Sequence, residues 1–76
     1  MIAMTQLRVG ERAKIVDLSQ VNSLVKRRLL DMGFTEGAEI CLKCTMPLGG
    51  PFMIENCGQC VGIRRNEAMN IQVKPL

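Results

Sequence analysis

The residues best equipped for chemistry are four cysteines, Cys41, Cys44, Cys57 and Cys60, arranged as C-x2-C, twelve residues, C-x2-C. Four thiolates make a tetrahedral pocket for zinc or iron, and as a string the pattern is close to that of a zinc ribbon. The elements that must carry the thiols complicate this. Cys57 and Cys60 flank Gly58-Gln59, which reads as a hairpin turn, so the two should face each other and supply half a site. Cys41 and Cys44 fall inside a strand, where residues three apart point to opposite faces about 10 Å apart. If the loop that follows pairs its flanking strands, Cys41 lands near Cys57 and Cys44 stays on the other face. Three readings therefore share these residues. The default is that they are small apolar side chains packed in the core. The alternatives are a zinc or iron site using three or four thiolates, and an oxidisable Cys57/Cys60 pair. A thioredoxin-type C-x2-C belongs at a helix N-terminus within a βαβ unit, a pattern this chain does not show.

Nothing else in the chain reads as catalytic, and it is expected not to be an enzyme. There is no histidine, which removes imidazole acid–base work, imidazole metal ligation and Ser-His triads. There is no G-x4-G-K-[ST] phosphate loop. The seven carboxylates are scattered, and only Glu36 and Glu39 lie close together.

The 76 residues leave room for one domain, 1–76, with 47% hydrophobic residues to fill a core. Phe34 and Phe52 are the only aromatics, so that core must be built from Ile, Val, Leu and Met. The pattern predicts a short strand or turn over 7–11 and a half-buried strand over 12–18. In the latter Ala13, Ile15 and Leu18 face inward, with a slip of period near the end. Val21, Leu24, Val25, Leu29 and Met32 form one stripe on a helix over 22–32, capped by Asn22 or Ser19 and stopped by Gly33. Strands follow over 38–45, 52–57 and 60–65, then a helical turn over 66–70 and a strand over 71–73. One helix cannot cover a large open sheet, so the sheet should curl into a small barrel.

Two surface features suit a partner. Met46, Leu48, Phe52 and Met53 place apolar groups in and beside Pro47-Leu48-Gly49-Gly50-Pro51, a loop with two prolines and two glycines. Exposed apolar residues on such a loop fit a protein contact, and folding back to cap the barrel is equally consistent with the sequence. Lys26-Arg27-Arg28 and Arg64-Arg65 are the basic clusters within a net charge of +3. They could dock an acidic protein face, a membrane surface or nucleic acid, although a solvated helix surface explains them as simply. Nucleic acid is not the expected partner, because the charge is mild and stacking platforms are nearly absent. The first residues lack the regions of a signal peptide and no apolar run approaches a membrane span, so a cytoplasmic protein without membrane insertion is expected.

The chain resembles the FeoA family in four segments: Leu7-Arg8-Val9-Gly10 with Ala13-Lys14-Ile15; the stretch from Arg28 through Asp31-Met32-Gly33-Phe34 to Gly37; Pro47 to Pro51; and Ile63-Arg64-Arg65 through Glu67-Ala68 to Ile71-Gln72-Val73. Each is weak alone, but their order and spacing together are fairly specific. The resemblance implies a mainly β fold, a small SH3-like β-barrel with one short α-helix inserted after the first long strand. It also implies a role as cytoplasmic partner of a large ferrous-iron permease bearing a GTPase domain. Leu48, Gly49, Gly50 and Pro51 are the expected contact surface, with Arg27 and Arg28 as secondary candidates. The sequence does not select an oligomeric state.

Overall fold

In the computed structural model, which describes residues 1–76, alternating side chains sort the chain into a curled sheet. The strands are β1 (Ile2–Ala3), β2 (Arg12–Asp17), β3 (Glu39–Thr45), β4 (Phe52–Asn56), β5 (Gln59–Ile63) and β6 (Gln72–Pro75), with helices α1 (Ser23–Asp31) and α2 (Arg65–Ala68). All six strands pair antiparallel in the order β1-β6-β2-β3-β4-β5. Five strand spacings span about 24 Å, so a flat sheet would be broad and thin. The molecule instead measures 26 × 24 × 24 Å, which requires the sheet to close on itself. At the two open ends, α2 leaves β5 and meets the 3-10 turn Met4–Gln6 that leaves β1. This is the small barrel, with its helix after the first long strand, that the sequence implied.

The registered pairs show why the sheet curls inward on one face. Ala13 lies opposite Ile40, Ile15 opposite Val73, Leu42 opposite Ile54, Ile54 opposite Val61, and Phe52 opposite Ile63. Every one of these residues is buried, and no polar residue is. A strand has period two, so these apolar pairs gather on one face of the ladders and the polar residues stay outside the core. In β2 a register shift between Ile15 and Asp17 moves the inward set from odd to even, and Leu18 becomes fully buried. That is the slip visible in the sequence.

Helix α1 begins where Asn22 Oδ1 accepts the Leu24 amide at 2.9 Å, satisfying one otherwise free donor of the first turn. It ends in a Schellman motif: the Phe34 amide donates to Leu29 O at 2.8 Å and the Gly33 amide to Leu30 O at 3.0 Å. Gly33 takes φ +87°, which a side chain would resist, and Phe34 folds under the helix into the core. The Asn56 side-chain amide then donates to Gly33 O at 3.2 Å, tying the helix end to the β4–β5 hairpin.

Two expectations change. Of the strand or turn expected over 7–11 the turn forms, where Gly10 at φ +89° turns the chain and the Glu11 amide donates back to Arg8 O, and the first strand is instead Ile2–Ala3. Leu24 leaves the apolar stripe: it is exposed, whereas Val21 and Leu29 are buried and Val25 and Met32 half-buried. Burial assigns the helix residues very different weights. Leu29→Ala should lower the unfolding free energy by about 2–5 kcal/mol, and Leu24→Ala should stay within about 0.5 kcal/mol. Urea unfolding followed by circular dichroism checks both, and equal losses would mean that Leu24 is covered.

Candidate functional site

The backbone of the β3–β4 loop is held open by its own hydrogen bonds. The Met46 amide donates to Pro51 O at 3.1 Å and the Gly50 amide to Pro47 O at 3.2 Å. Leu48 and Gly49 both turn through the left-handed region, at φ 60° and 75°. A Cβ on Gly50 would lie 2.6 Å from Met46 Cβ, so this close approach admits only glycine. The loop projects Leu48 fully into solvent, while Phe52, the first residue of β4, is buried. Of the two outcomes open to the sequence, each is taken by one residue: Phe52 caps the barrel and Leu48 does not.

Beside this loop runs a groove of about 440 Å³, with Gly49, Gly50 and Pro51 on one side and Arg64, Arg65, Asn66 and Met69 on the other. The ladder explains the juxtaposition. β5 ends at Ile63, opposite Phe52, so the chain passes straight into Arg64 and α2 alongside the loop. The Arg65 guanidinium lies 5.0 Å from the centroid of the Phe52 ring, a cation–π distance that fixes the side chain. No carboxylate lines the groove, and both ion pairs, Arg12–Glu39 and Lys43–Glu55, lie elsewhere. Arg27 and Arg28, the basic residues favoured by the sequence, are exposed on α1 and do not line it. Arg64 and Arg65 do. The signal that could have chosen them is the hairpin count, which sets the end of β5 against the start of β4.

The cysteines are not in the core: Cys41 is half-buried, and Cys44, Cys57 and Cys60 are exposed. The default reading of them as core packing is therefore corrected, because the inward positions of β3 and β5 are already filled by Ile40, Leu42, Val61 and Ile63. The hairpin turn also moves by one residue. Cys57 and Gly58 occupy its two central positions, at φ 50° and 85°, and Asn56 closes it against Gln59. Cys60 consequently lies opposite Glu55, not Cys57. A second correction concerns Cys44. A bulge between Leu42 and Cys44 absorbs Lys43, so Cys44 lies opposite Met53 on the same outer face as Cys41, which lies opposite Glu55.

Cys41 and Cys60 thus flank Glu55 across three strands, two strand spacings apart. Lys43 Nζ sits 3.2 Å from Glu55 Oε1, and this hydrogen bond and the carboxylate charge hold the ammonium above its usual range. Cys41 and Cys60 contribute smaller effects of the same sign. A polar cleft of about 340 Å³ does bring Cys41 and Cys57 together, along with Glu39 and Glu55. No group of three or more cysteine or carboxylate side chains, however, is close enough to hold a metal ion. The four-thiolate pocket suggested by the spacing does not form, since ladder positions separate what the string places side by side.

Comparison with known proteins gives a consistent answer. The family model described as the FeoA domain matches residues 2–75. The solution structure of FeoA from Chlorobium tepidum is 33% identical, superposes with a TM-score of 0.92, and is matched over 99% of this chain and 70% of its own length. Iron(II) transport protein A from Clostridium thermocellum is 29% identical with a TM-score of 0.86, over 99% of this chain and 46% of that one. A zinc complex of FeoA from Stenotrophomonas maltophilia, described as a prokaryotic SH3 domain protein, shares the fold at 23% identity and a TM-score of 0.73, over 97% and 91% of the two chains. No curated protein matched. No helix is long and apolar enough to cross a membrane.

The donor count gives an expected outcome for metal. Protein purified without oxygen should carry only substoichiometric zinc or iron, and elemental analysis should not distinguish it from Cys57→Ser/Cys60→Ser. Stoichiometric metal that disappears in the double variant would show that the thiols converge after all.

Proposed function

The chain belongs to the FeoA family, and from that premise we propose that it is a non-enzymatic, cytoplasmic accessory protein of ferrous iron uptake. In this reading its 76 residues act as one domain that binds the GTPase-bearing cytosolic part of an iron permease and modulates it by contact. The observation that carries the reading is Leu48. A large apolar side chain is held fully in solvent, on a loop whose backbone is fixed by two hydrogen bonds and two left-handed residues. Exposing a leucine at a backbone conformation that leucine resists has no benefit to the isolated barrel. It has one when a partner covers it, because burying a leucine contributes roughly 1.5–3 kcal/mol. Gly49, Gly50 and Pro51 shape the same contact surface, with Arg27 and Arg28 on α1 as a secondary one.

The alternative is a cysteine-ligated iron or zinc sensor or chaperone in the same pathway. It has the shared cleft of Cys41 and Cys57 in its favour and the missing third donor against it. The contact reading needs no residue to move.

Leu48→Asp should weaken capture of the permease's soluble domain by about tenfold or more, the effect of losing one buried apolar anchor. Its unfolding free energy should not fall more than about 0.5 kcal/mol below the parent's, because the leucine side chain touches nothing in the barrel and aspartate tolerates the left-handed backbone better. Undiminished capture would remove Leu48 from the contact.

A further inference from the structure

We propose that the groove between loop 46–51 and α2 is a docking site for an acidic peptide segment carrying an aliphatic side chain. The inference rests on the adapter reading and specifies what the partner must present. Its volume of about 440 Å³ falls within the range of about 300–1,000 Å³ typical of clefts that enclose a small ligand or a few residues. The charge in it is of one sign. Arg64 and Arg65 line the groove without a carboxylate partner, although the molecule pairs other cations at Arg12 and Lys43. Those two arginines therefore carry unused capacity for charge-assisted hydrogen bonds.

Arg65 is also pre-organised. Its guanidinium is held against the Phe52 ring, itself locked in the core, so its planar fork loses little freedom when a carboxylate binds. The rest of the lining is nearly bare of functional groups: two glycines, a proline and Met69, with Asn66 as the one uncharged polar side chain. Glycine at 49 and 50 lets an extended segment approach the backbone closely. Met69, exposed in the lining, is the apolar contact for an aliphatic side chain, and exposed Leu48 directly precedes the Gly49 wall in the chain. Phosphate would satisfy the same arginines, but a nucleic-acid strand also wants exposed aromatic faces. The one ring here is buried beneath Arg65. Carboxylates on a peptide are the better match.

The test uses the full chain and three fluorescein-labelled heptapeptides: one of alternating Glu and Leu, its Gln isostere, and its Lys counterpart. Anisotropy should show saturable binding of the acidic peptide, with the Gln and Lys peptides weaker by about tenfold or more. Arg64→Glu/Arg65→Glu should abolish that binding. Arg65→Lys, which keeps the charge and loses the planar fork, should weaken it partially. Lys14→Glu/Lys74→Glu makes the same charge change on exposed, facing residues of β2 and β6 and should stay within about twofold; circular dichroism confirms that each variant is folded. Several results overturn the proposal: no binding at millimolar peptide, equal binding of the Gln isostere, equal loss in the two double variants, or displacement of the peptide by a short DNA duplex at lower concentration. Capture of the permease's soluble domain, run in parallel, separates this inference from the adapter reading. Capture that survives Arg64→Glu/Arg65→Glu sinks the groove and leaves the adapter. Peptide binding without capture does the reverse.

Discussion

The register between β4 and its two neighbours is the constraint on which the molecule depends. A slip of one residue in either ladder would turn Phe52 and Ile54, or Val61 and Ile63, out of the core, since side chains alternate faces with period two. A barrel with 17 buried residues has little else to hold it. Both loops flanking β4 are built to forbid the slip. The β3–β4 connection closes through Met46 and Pro51 with two left-handed residues at its tip. The β4–β5 turn closes through Asn56 and Gln59 with two more. A two-residue turn of this hand matches the twist of the strands it joins, which holds β4 and β5 in their pairing.

The same register builds the surface. Because Phe52 lies opposite Ile63, the chain leaving β5 must pass the β3–β4 loop, and Arg65 comes to rest over the ring at the start of β4. Groove, loop and core are thereby one construction: the ring that closes the barrel from inside orders the guanidinium outside it. Asn56, which ends β4, does a parallel job at the other end by holding the carbonyl of Gly33, where α1 stops. A single five-residue strand thus positions the helix terminus and the candidate contact surface at opposite ends.

Most of this order was legible where periodicity or cap chemistry carried it. Ala13, Ile15 and Leu18 announced β2 and its slip, while Asn22 and Gly33 bracketed α1 to within a residue. The errors at the cysteines share a different physical origin, the count of residues in a turn or a ladder. Reading the hairpin as Gly58-Gln59 instead of Cys57-Gly58 reversed which cysteine faces which residue. Missing the bulge at Lys43 put Cys44 on the wrong face. Each is an error of one position, invisible to hydropathy because cysteine suits either face. In a ladder one position decides everything about what a side chain meets. The groove was hidden for a related reason: its two walls are separated by a dozen residues of sequence and joined only by the pairing of Phe52 with Ile63.

Leu48 bears on how this protein would respond to being improved. A left-handed leucine carries a conformational penalty of about 1–2 kcal/mol relative to a residue free to adopt that angle, and its side chain recovers none of it within the barrel. Any procedure that ranks substitutions by folding free energy alone would replace it early, with glycine or asparagine, and score a gain. Laboratory selection for heat resistance would favour the same change. On the proposed contact role of Leu48, stability and usefulness pull apart at this position, and a thermostabilised version of this chain would lose its loop's grip first while its barrel melted later.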